Sequence, residues 1–228
     1  GGLYGEIWGH KYLRVKDESS PYFGQLLLSG TGLPQRDGEQ TLLGDQQARE
    51  MVSFINNFSY KNIGLSFQVD GRFGGQMFVG THVAMQRFGT AAITAPNGAR
   101  EDFILPGVVE DGNGGYVQNT NSITQQQYFT AISTANNLGI NEEYLYDATN
   151  IRLRNIQLSY SLPRSILGSS VVQNARIFAS CNNVWMIYSK MDGIDPESTF
   201  ATGTNALGFE NGAPPTMRSF MFGLTVGF

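Results

Sequence analysis

The sequence predicts an all-β fold, namely part of a transmembrane antiparallel β-barrel with about six strands, long extracellular loops and one short loop helix. Three observations lead to this prediction. Charged residues make up only 15% of the chain, while 28 of 228 residues are glycine and 12% are aromatic, which favours strands and turns. Several stretches alternate apolar and polar residues over the length of a bilayer-spanning strand. Short and long connections alternate between those stretches.

Three stretches carry the alternation most clearly, namely "NIGLSFQVDGR", "IRLRNIQLSYSLP" and "RSFMFGLTVGF". A tilted strand that crosses a bilayer needs roughly 9–11 residues, whereas a mean globular strand has roughly 5–6. The residues expected to face lipid are Ile63, Leu65, Phe67, Val69, Ile156, Leu158, Tyr160, Phe220, Phe222, Leu224 and Val226. The opposite face of the first stretch supplies the candidate lumen residues for substrate binding, which are Ser66, Gln68, Asp70 and Arg72.

Less regular alternation in residues 4–15, 50–58 and 174–188 completes the set of predicted strands. Arg152 and Arg154 fall on the same parity as the apolar face of their strand. We therefore expect both side chains to lie above the hydrocarbon, at the level of the headgroups or beyond it. Cys181 is the single cysteine and forms no disulfide within the chain. We expect it to be a small buried or lipid-facing residue.

The connections between the predicted strands are of two kinds. "SYK" and "PRSILGSSVVQ" are short, whereas residues 16–49, 73–143 and 189–217 form long connections. Outer-membrane barrels have short periplasmic turns and longer extracellular loops. One long connection contains a helix pattern, "SITQQQYFTAISTANNLG". Ser122 and Gln125 there match a capping box, and the predicted apolar stripe is Tyr128, Ile132, Ala135 and Leu138.

The sequence contains no Walker loop, no G-x-S-x-G elbow, no H-E-x-x-H and no C-x-x-C motif. We therefore predict that the protein is not an enzyme and needs no cofactor. His10 and His82 have no metal-ligand spacing, and no metal site is predicted. The acidic stretches "EDGNGGY" and "MDGIDPES" are compatible with a cation site or with plain turns, and we favour turns. A net charge of −4 gives no reason to expect a nucleic-acid partner. The mean hydropathy of −0.20 does not exclude a membrane barrel, because half of each strand faces a polar lumen.

Four stretches resemble one known family, in the order in which that family has them. They are "NNFSYKNIGLSFQVDGRFGG", "YLYDATNIRLRNIQLSYSLP", "ARIFASCNNVWMIYSKMDGIDPE" and "RSFMFGLTVGF". Together they cover 74 of the 228 residues, about a third of the chain. On these residues the chain resembles the C-terminal portion of the barrel of a SusC/RagA-type TonB-dependent outer-membrane receptor.

The resemblance implies that residues 1–228 are a C-terminal segment of a barrel of roughly 22 strands, multi-pass in the cell outer membrane, with the plug domain and earlier strands absent. The implied function is TonB-dependent import of oligosaccharides or peptides. The implied partners are the remainder of the barrel and the plug, a SusD-type lipoprotein lid, TonB, the barrel assembly machinery and the lipid bilayer. Gly223, Val226 and Phe228 match the family's terminal assembly signal, whereas Met221 stands where that signal has a polar residue.

Two other functions remain open from the sequence. One is a structural or adhesive outer-membrane barrel without active transport. The other is a soluble carbohydrate-binding β-sandwich, which would have shorter strands and a polar outer face. The apolar face from Phe220 to Phe228 contradicts the sandwich. The sequence does not distinguish between glycan and peptide as the substrate.

Overall fold

A computed structural model describes residues 2–134, 139–168, 171–200, 203 and 205–228. The chain forms two compact units, each assembled from three separate segments. Unit 1 comprises Gly1–Gln46, Gln76–Tyr146 and Thr199–Ala213, and unit 2 comprises Gln47–Gly75, Asp147–Ser198 and Pro214–Phe228. Two positions of the predicted helix stripe, Ala135 and Leu138, lie outside the described residues.

The secondary structure of the described residues is dominated by strands. The strands are β1 (Glu6–Tyr12), β2 (Arg36–Asp45), β3 (Glu50–Tyr60), β4 (Ile63–Phe73), β5 (Gln76–Val79), β6 (Phe103–Ile104), β7 (Val108–Glu110), β8 (Tyr116–Gln118), β9 (Ser122–Ile123), β10 (Leu145–Asp147), β11 (Asn150–Ser161), β12 (Asn174–Ser189), β13 (Phe209–Glu210) and β14 (Ser219–Gly227). The helices are α1 (Gly80–Arg87), α2 (Gln125–Thr134) and α3 (Arg164–Leu167), with 3₁₀ turns at Ala92–Thr94, Pro96–Gly98 and Asn141–Tyr144. No described helix has the length and apolar character that a membrane crossing requires.

Unit 2 is built on one antiparallel five-stranded sheet with the order β14-β12-β11-β4-β3. These strands are five of the six that the sequence predicts. Their sheet is open, as expected for part of a barrel. β3 and β4 are joined by Lys61 and Asn62 alone, because Tyr60 already pairs with Ile63. Lys61 has a φ of 52°, and a positive φ at the first position is typical of two-residue hairpin turns.

The register of the sheet aligns apolar residues across all five strands. Phe58 pairs with Leu65, Leu65 with Leu158, Leu158 with Ala179, and Ala179 with Phe222. Residues directly opposite each other in neighbouring strands lie on the same face of a sheet. The apolar positions read from single strands therefore form one continuous face, which we call the apolar face of unit 2. We call its reverse the polar face.

A bulge in β11 changes the placement of two arginines. Asn155 pairs with Gln68 and Leu153 pairs with Val69, so Arg154 is an extra residue in β11 relative to β4. One extra residue shifts the alternation by one position. Arg152 consequently lies opposite Asp70 on the polar face. The expectation that these arginines share the apolar face is wrong, because it assumed unbroken alternation.

Unit 1 contains the first predicted strand and most of the long connections. β1 does not join the five-stranded sheet but pairs with β2, with two irregularities in register. Three further small sheets follow, namely β10-β5-β13, β6-β9 and β7-β8. The core cluster consists of Tyr12, Phe129, Ile132, Ile140 and Tyr144. The predicted loops are therefore a folded body with its own apolar core.

The predicted loop helix is present as α2, but a different residue caps it. The Thr124 hydroxyl oxygen accepts the Gln127 N–H at 3.1 Å, and the Gln127 side-chain oxygen accepts the Thr124 N–H at 2.9 Å. This reciprocal pair is a capping box that starts two residues after the predicted Ser122. Ser122 instead lies in β9. A second helix, α1, packs against α2 and was not expected from the sequence.

Candidate functional site

The four candidate lumen residues lie in β4 on the polar face of unit 2. Ser66 is opposite Gln157, Gln68 opposite Asn155, Asp70 opposite Arg152, and Arg72 opposite Asn150 in β11. All of these neighbours are polar. The polar face is therefore lined by hydroxyl, amide and charged groups over the length of two adjacent strands.

The Asp70 carboxylate already accepts hydrogen bonds from neighbouring side chains. The donors are the Ser53 hydroxyl at 2.6 Å, the Gln68 amide at 2.8 Å and the Arg154 guanidinium Nε at 2.9 Å. The Gln68 amide also donates to Ser53 at 3.2 Å. These contacts occupy much of the capacity of both groups. Asp70 and Gln68 thus belong to a network of hydrogen bonds on the polar face of unit 2.

The network continues through an arginine–carboxylate cluster, which we define as Asp70, Arg152, Arg154, Asp195 and Glu197. Arg154 donates to both Glu197 oxygens, at 2.5 and 2.7 Å, the bidentate arrangement that suits a planar guanidinium. Arg152 donates to Asp195, and its other terminal nitrogen lies 3.5 Å from Glu197. The Arg152 and Asp195 side chains are only 4% and 10% exposed. The cluster fixes residues 195–197 against the polar face.

Asp195 also organises the segment that precedes β14. It accepts the Thr216 N–H at 3.0 Å and the Thr216 hydroxyl, and it accepts the Glu197 N–H at 3.0 Å. Burial acts to raise the pKa of the Asp195 carboxyl, but these hydrogen bonds and Arg152 outweigh it and hold that pKa below its usual value. The "MDGIDPES" stretch therefore forms a turn whose acidic groups pair with arginines. The described residues contain no group of metal-ligating side chains.

Asn183 connects both arginines to the same segment. Its side-chain oxygen accepts hydrogen bonds from Arg152 at 3.5 Å and Arg154 at 3.3 Å, and its amide donates to the Met217 carbonyl at 2.9 Å. Asn183 has a φ of 49°, a left-handed conformation that asparagine tolerates better than most residues. Sequence reasoning missed this role. The sequence indicated a polar partner for this strand only through Arg152 and Arg154, the two charged residues in an otherwise uncharged stretch.

An open groove lies elsewhere on the polar face and includes one predicted lumen residue, Ser66. Its volume is about 250 Å³, and its polar lining includes Asn57, Gln157, Ser159 and Arg176. Arg176 donates to the Ser159 hydroxyl at 2.7 Å. Such a mixture of hydroxyl, amide and guanidinium groups can bind hydroxyl-rich or amide-containing solutes.

All the residues predicted to face lipid lie together on the apolar face of unit 2. Phe222, Phe220 and Leu224 are 80%, 68% and 64% exposed in this chain. Gly223 lies in β14 opposite Phe178, and a Cβ at Gly223 would come within 2.3 Å of the Phe178 ring. A side chain at position 223 would therefore require the Phe178 ring to move. Phe228 directly follows β14.

No family model matches the chain, but curated proteins do. The chain is 25% identical over 252 residues to TonB-dependent receptor P3 of Formosa agariphila, covering 100% of this chain and 22% of that protein. TonB-dependent receptors P26 and P39 of the same organism are 24% and 27% identical, over 88% and 83% of this chain. The chain spans about a fifth of the length of these relatives.

Solved structures give the same result for the fold. The RagAB peptide importer in its open-open state matches 97% of this chain and 22% of that one, with a TM-score of 0.59 and 15% identity. The closed-closed state of RagAB gives a TM-score of 0.60, and a structure of the RagAB peptide transporter gives 0.61 over 98% of this chain, each at 15% identity. Sequence and fold thus confirm the resemblance inferred above: the chain is similar to a part of a SusC/RagA-type TonB-dependent receptor.

Proposed function

We propose that this chain forms part of the wall of an outer-membrane β-barrel of the SusC/RagA type that imports nutrients in a TonB-dependent manner. The observation that carries the proposal is the five-stranded sheet of unit 2. One of its faces is apolar across every strand, and the reverse carries charged and hydrogen-bonding groups. A barrel wall between lipid and a hydrated lumen needs both faces. The similarity to TonB-dependent receptors supports the same function.

The proposal assigns a role to each predicted set of residues. The apolar face, represented by Leu65, Leu158 and Leu224, contacts lipid in an outer membrane that the chain crosses several times. The polar face lines the lumen, where Ser66 contributes to substrate contact and Asp70 acts through the arginine–carboxylate cluster. Gly223, Val226 and Phe228 serve as the assembly signal. Residues 1–228 then represent one segment of a longer receptor.

The outer edges of the sheet support the partners that this function requires. Within the described residues, β3 pairs only with β4, and β14 pairs only with β12. An unpaired edge cannot lie in hydrocarbon, because its N–H and C=O groups would lack partners. We propose that the remaining barrel strands occupy both edges. A plug, TonB, the assembly machinery and a SusD-type lipoprotein lid complete the proposed system.

Oligosaccharides or peptides are the proposed substrates. The three solved structures described above are of a peptide importer or transporter, which favours peptides. The hydroxyl- and amide-rich groove around Ser66 is compatible with both classes. The chain contains none of the catalytic motifs considered above, so we propose binding and transport without chemical conversion.

Uptake by intact cells tests this proposal. Cells lacking the full-length receptor are complemented with the wild-type gene and given a mixture of fluorescently labelled peptides or a mixture of labelled oligosaccharides. We expect accumulation of one class, and we expect deletion of tonB to abolish it at unchanged surface levels of the receptor. Accumulation that persists without TonB would contradict the proposal. Normal surface levels with no accumulation of either class would instead support the alternative, a structural or adhesive barrel.

A further inference from the structure

A small pocket in unit 1 lies between α1 and α2, away from the residues discussed so far. Its volume is about 150 Å³, smaller than the pockets that enclose drug-sized ligands. The apolar part of its lining includes Phe88 and Phe129. Its polar lining consists of Gln86, Arg87, Thr94, Arg100, Gln125 and Gln126. The pocket can hold a single charged or polar unit of a larger molecule.

The lining of this pocket is positively charged. Of the described residues that line it, none is acidic, and two are arginines. The Arg87 side chain makes no hydrogen bond or ion pair with the part of the chain that the structure describes. Its guanidinium carbon lies 5.7 Å from the centre of the Phe88 ring. Arg100 donates to the Gly89 carbonyl at 2.9 Å, which orients its guanidinium and leaves most of its N–H donors for another group.

A second observation points to a ligand at the same place. Gln86 is 6% exposed and lines the pocket. Its side-chain oxygen Oε1 is buried and has no hydrogen-bond partner among the described residues. Buried acceptors without a partner are uncommon in proteins, since each loses its hydrogen bond to water. An O–H or N–H donor of a ligand would satisfy this oxygen once the Gln86 side-chain amide rotates toward the pocket.

We infer that this pocket binds a carboxylate group of the imported solute, together with a hydrogen-bond donor next to that carboxylate. Arg87 and Arg100 bind the carboxylate, because guanidinium groups match its planar pair of oxygens. Gln86 accepts the hydrogen bond from the adjacent donor. The inference rests on the proposed import function and narrows its substrates to solutes that carry a free carboxylate. The carboxylate belongs either to the carboxy terminus of a peptide, beside an amide N–H, or to a uronate unit of an oligosaccharide, beside a hydroxyl.

Calorimetric titration of the full-length receptor in detergent tests the inference and separates the two sources. One pair of probes is a pentapeptide with a free carboxy terminus and the same peptide with an amidated terminus. The other pair is trigalacturonate and its methyl ester. We expect one carboxylate-bearing probe to bind and its blocked form to bind about tenfold more weakly or worse, the loss expected for one charge-assisted contact.

Matched variants show whether the pocket is responsible. Arg87→Gln and Arg100→Gln should each weaken binding of the carboxylate-bearing probe by about tenfold and leave binding of its blocked form unchanged. Arg14→Gln is the control, because it removes the same charge from unit 1 at a residue outside the pocket. We expect it to change binding by less than about twofold. Arg100 lies in an exposed loop, so its variant stays informative if Arg87→Gln fails to fold.

Several results would overturn the inference. They are equal binding of a probe and its blocked form, wild-type affinity in both arginine variants, and no binding of either carboxylate probe to the wild-type receptor. Stronger binding of a sulfated than of a carboxylated oligosaccharide would also overturn it. Measuring TonB-dependent uptake with the same variants keeps the two proposals apart. If the arginine variants keep TonB-dependent uptake and wild-type affinity for the probe, only the inference about the pocket is refuted. If uptake does not depend on TonB, the proposed function is refuted.

Discussion

The ion pair between Arg152 and Asp195 is largely shielded from water, since the two side chains are 4% and 10% exposed. Removal of one partner leaves the other charge buried without compensation. Arg152 would keep a weaker partner, because the Glu197 carboxylate lies 3.5 Å away. We predict that Asp195→Ala lowers the free energy of unfolding by about 3 kcal/mol, because Arg152 loses its nearest carboxylate and Thr216 loses its acceptor. The measurement is the unfolding midpoint of the full-length receptor in detergent, followed by circular dichroism.

An exposed ion pair in the same chain provides the control for that prediction. Arg14 lies 3.6 Å from Glu142, and their side chains are 44% and 34% exposed. Water screens such a pair, so Arg14→Gln should cost no more than about 1 kcal/mol. Equal midpoints for the two variants would show that the arginine–carboxylate cluster does not stabilise unit 2.

Glu143 is a half-buried carboxyl whose ionisation opposes folding. Burial raises its pKa above the ordinary value of 4.5, although the Tyr12 hydroxyl, which donates to Glu143 at 2.8 Å, acts in the opposite direction. The folded state therefore retains a proton that the unfolded state releases. The stability that protonated Glu143 contributes is fully present below about pH 4.5 and is lost as the pH rises through the higher folded-state value.

A substitution at this position should reduce that pH dependence. We predict that Glu143→Gln stabilises the receptor at pH 7, because glutamine still accepts the Tyr12 hydrogen bond but carries no charge. Thermal midpoints measured between pH 4 and 8 should fall less steeply with rising pH than in the wild type. Glu18→Gln, which alters an exposed carboxyl in a loop of the same unit, serves as the control. Parallel pH curves for wild type and Glu143→Gln would contradict the prediction.

At the scale of the secondary-structure elements, the cap of α2 distinguishes the structure from the sequence pattern. The reciprocal hydrogen bonds between Thr124 and Gln127 satisfy N–H groups at the start of the helix. We predict that Thr124→Ala destabilises α2 by about 1 kcal/mol. Hydrogen exchange of amides within α2 measures this loss. Ser122→Ala should leave exchange unchanged, because the Ser122 side chain does not cap the helix, and the reverse result would restore the capping box predicted from the sequence.

Arginine substitutions on the two faces of β14 should change the stability of the receptor by different amounts. Leu224 lies on the apolar face, opposite Ile177, and Met221 lies on the polar face, opposite Ser180. A lipid-facing arginine costs about 2–4 kcal/mol at the middle of the bilayer and less near the interfaces. We predict that Leu224→Arg lowers the unfolding midpoint of the receptor in lipid, whereas Met221→Arg lowers it little. Equal effects of the two substitutions would contradict the proposed orientation of the sheet.

At the scale of the whole molecule, the five-stranded sheet does not close on itself. Within the described residues, β3 and β14 are each paired along one edge only, and exposed edges recruit further strands. We predict that the 228-residue chain purified in buffer without detergent associates into large particles, as measured by size-exclusion chromatography with light scattering. The full-length receptor in detergent is the control and should be monodisperse. If the isolated chain were a folded monomer, the proposal that it is a segment of a barrel would be refuted.

The sequence reveals the strands of unit 2 better than anything in unit 1. β4, β14 and the part of β11 after Arg154 keep a period of two over many residues, and one continuous apolar face requires that period. Unit 1 instead combines short strands and two helices around a core that includes Tyr12 and Ile140. Those core residues are far apart in the sequence. No local period connects them, so long connections were predicted where a folded unit exists.

The candidate site was predictable only in part, for the same reason. The sequence placed Ser66 and Asp70 on the polar face, but their partners depend on the register between strands. The extra residue Arg154 reverses the orientation of Arg152, and a single-strand pattern cannot reveal which position is bulged. Asp195 and Glu197 reach the arginines through a turn that lies about 40 residues away in the chain.

The sequence by itself determined that the chain is all-β, that one face of its long strands is apolar and that it resembles a SusC/RagA-type receptor. These properties depend on the order of neighbouring residues, because hydrophobic alternation is a local pattern. Only the tertiary structure decided that β1 leaves the main sheet, that Arg152 and Arg154 pair with Asp195 and Glu197, and that Gln86, Arg87 and Arg100 meet in one pocket. Those outcomes depend on the register and packing of distant segments, which are set by the summed contacts of the fold.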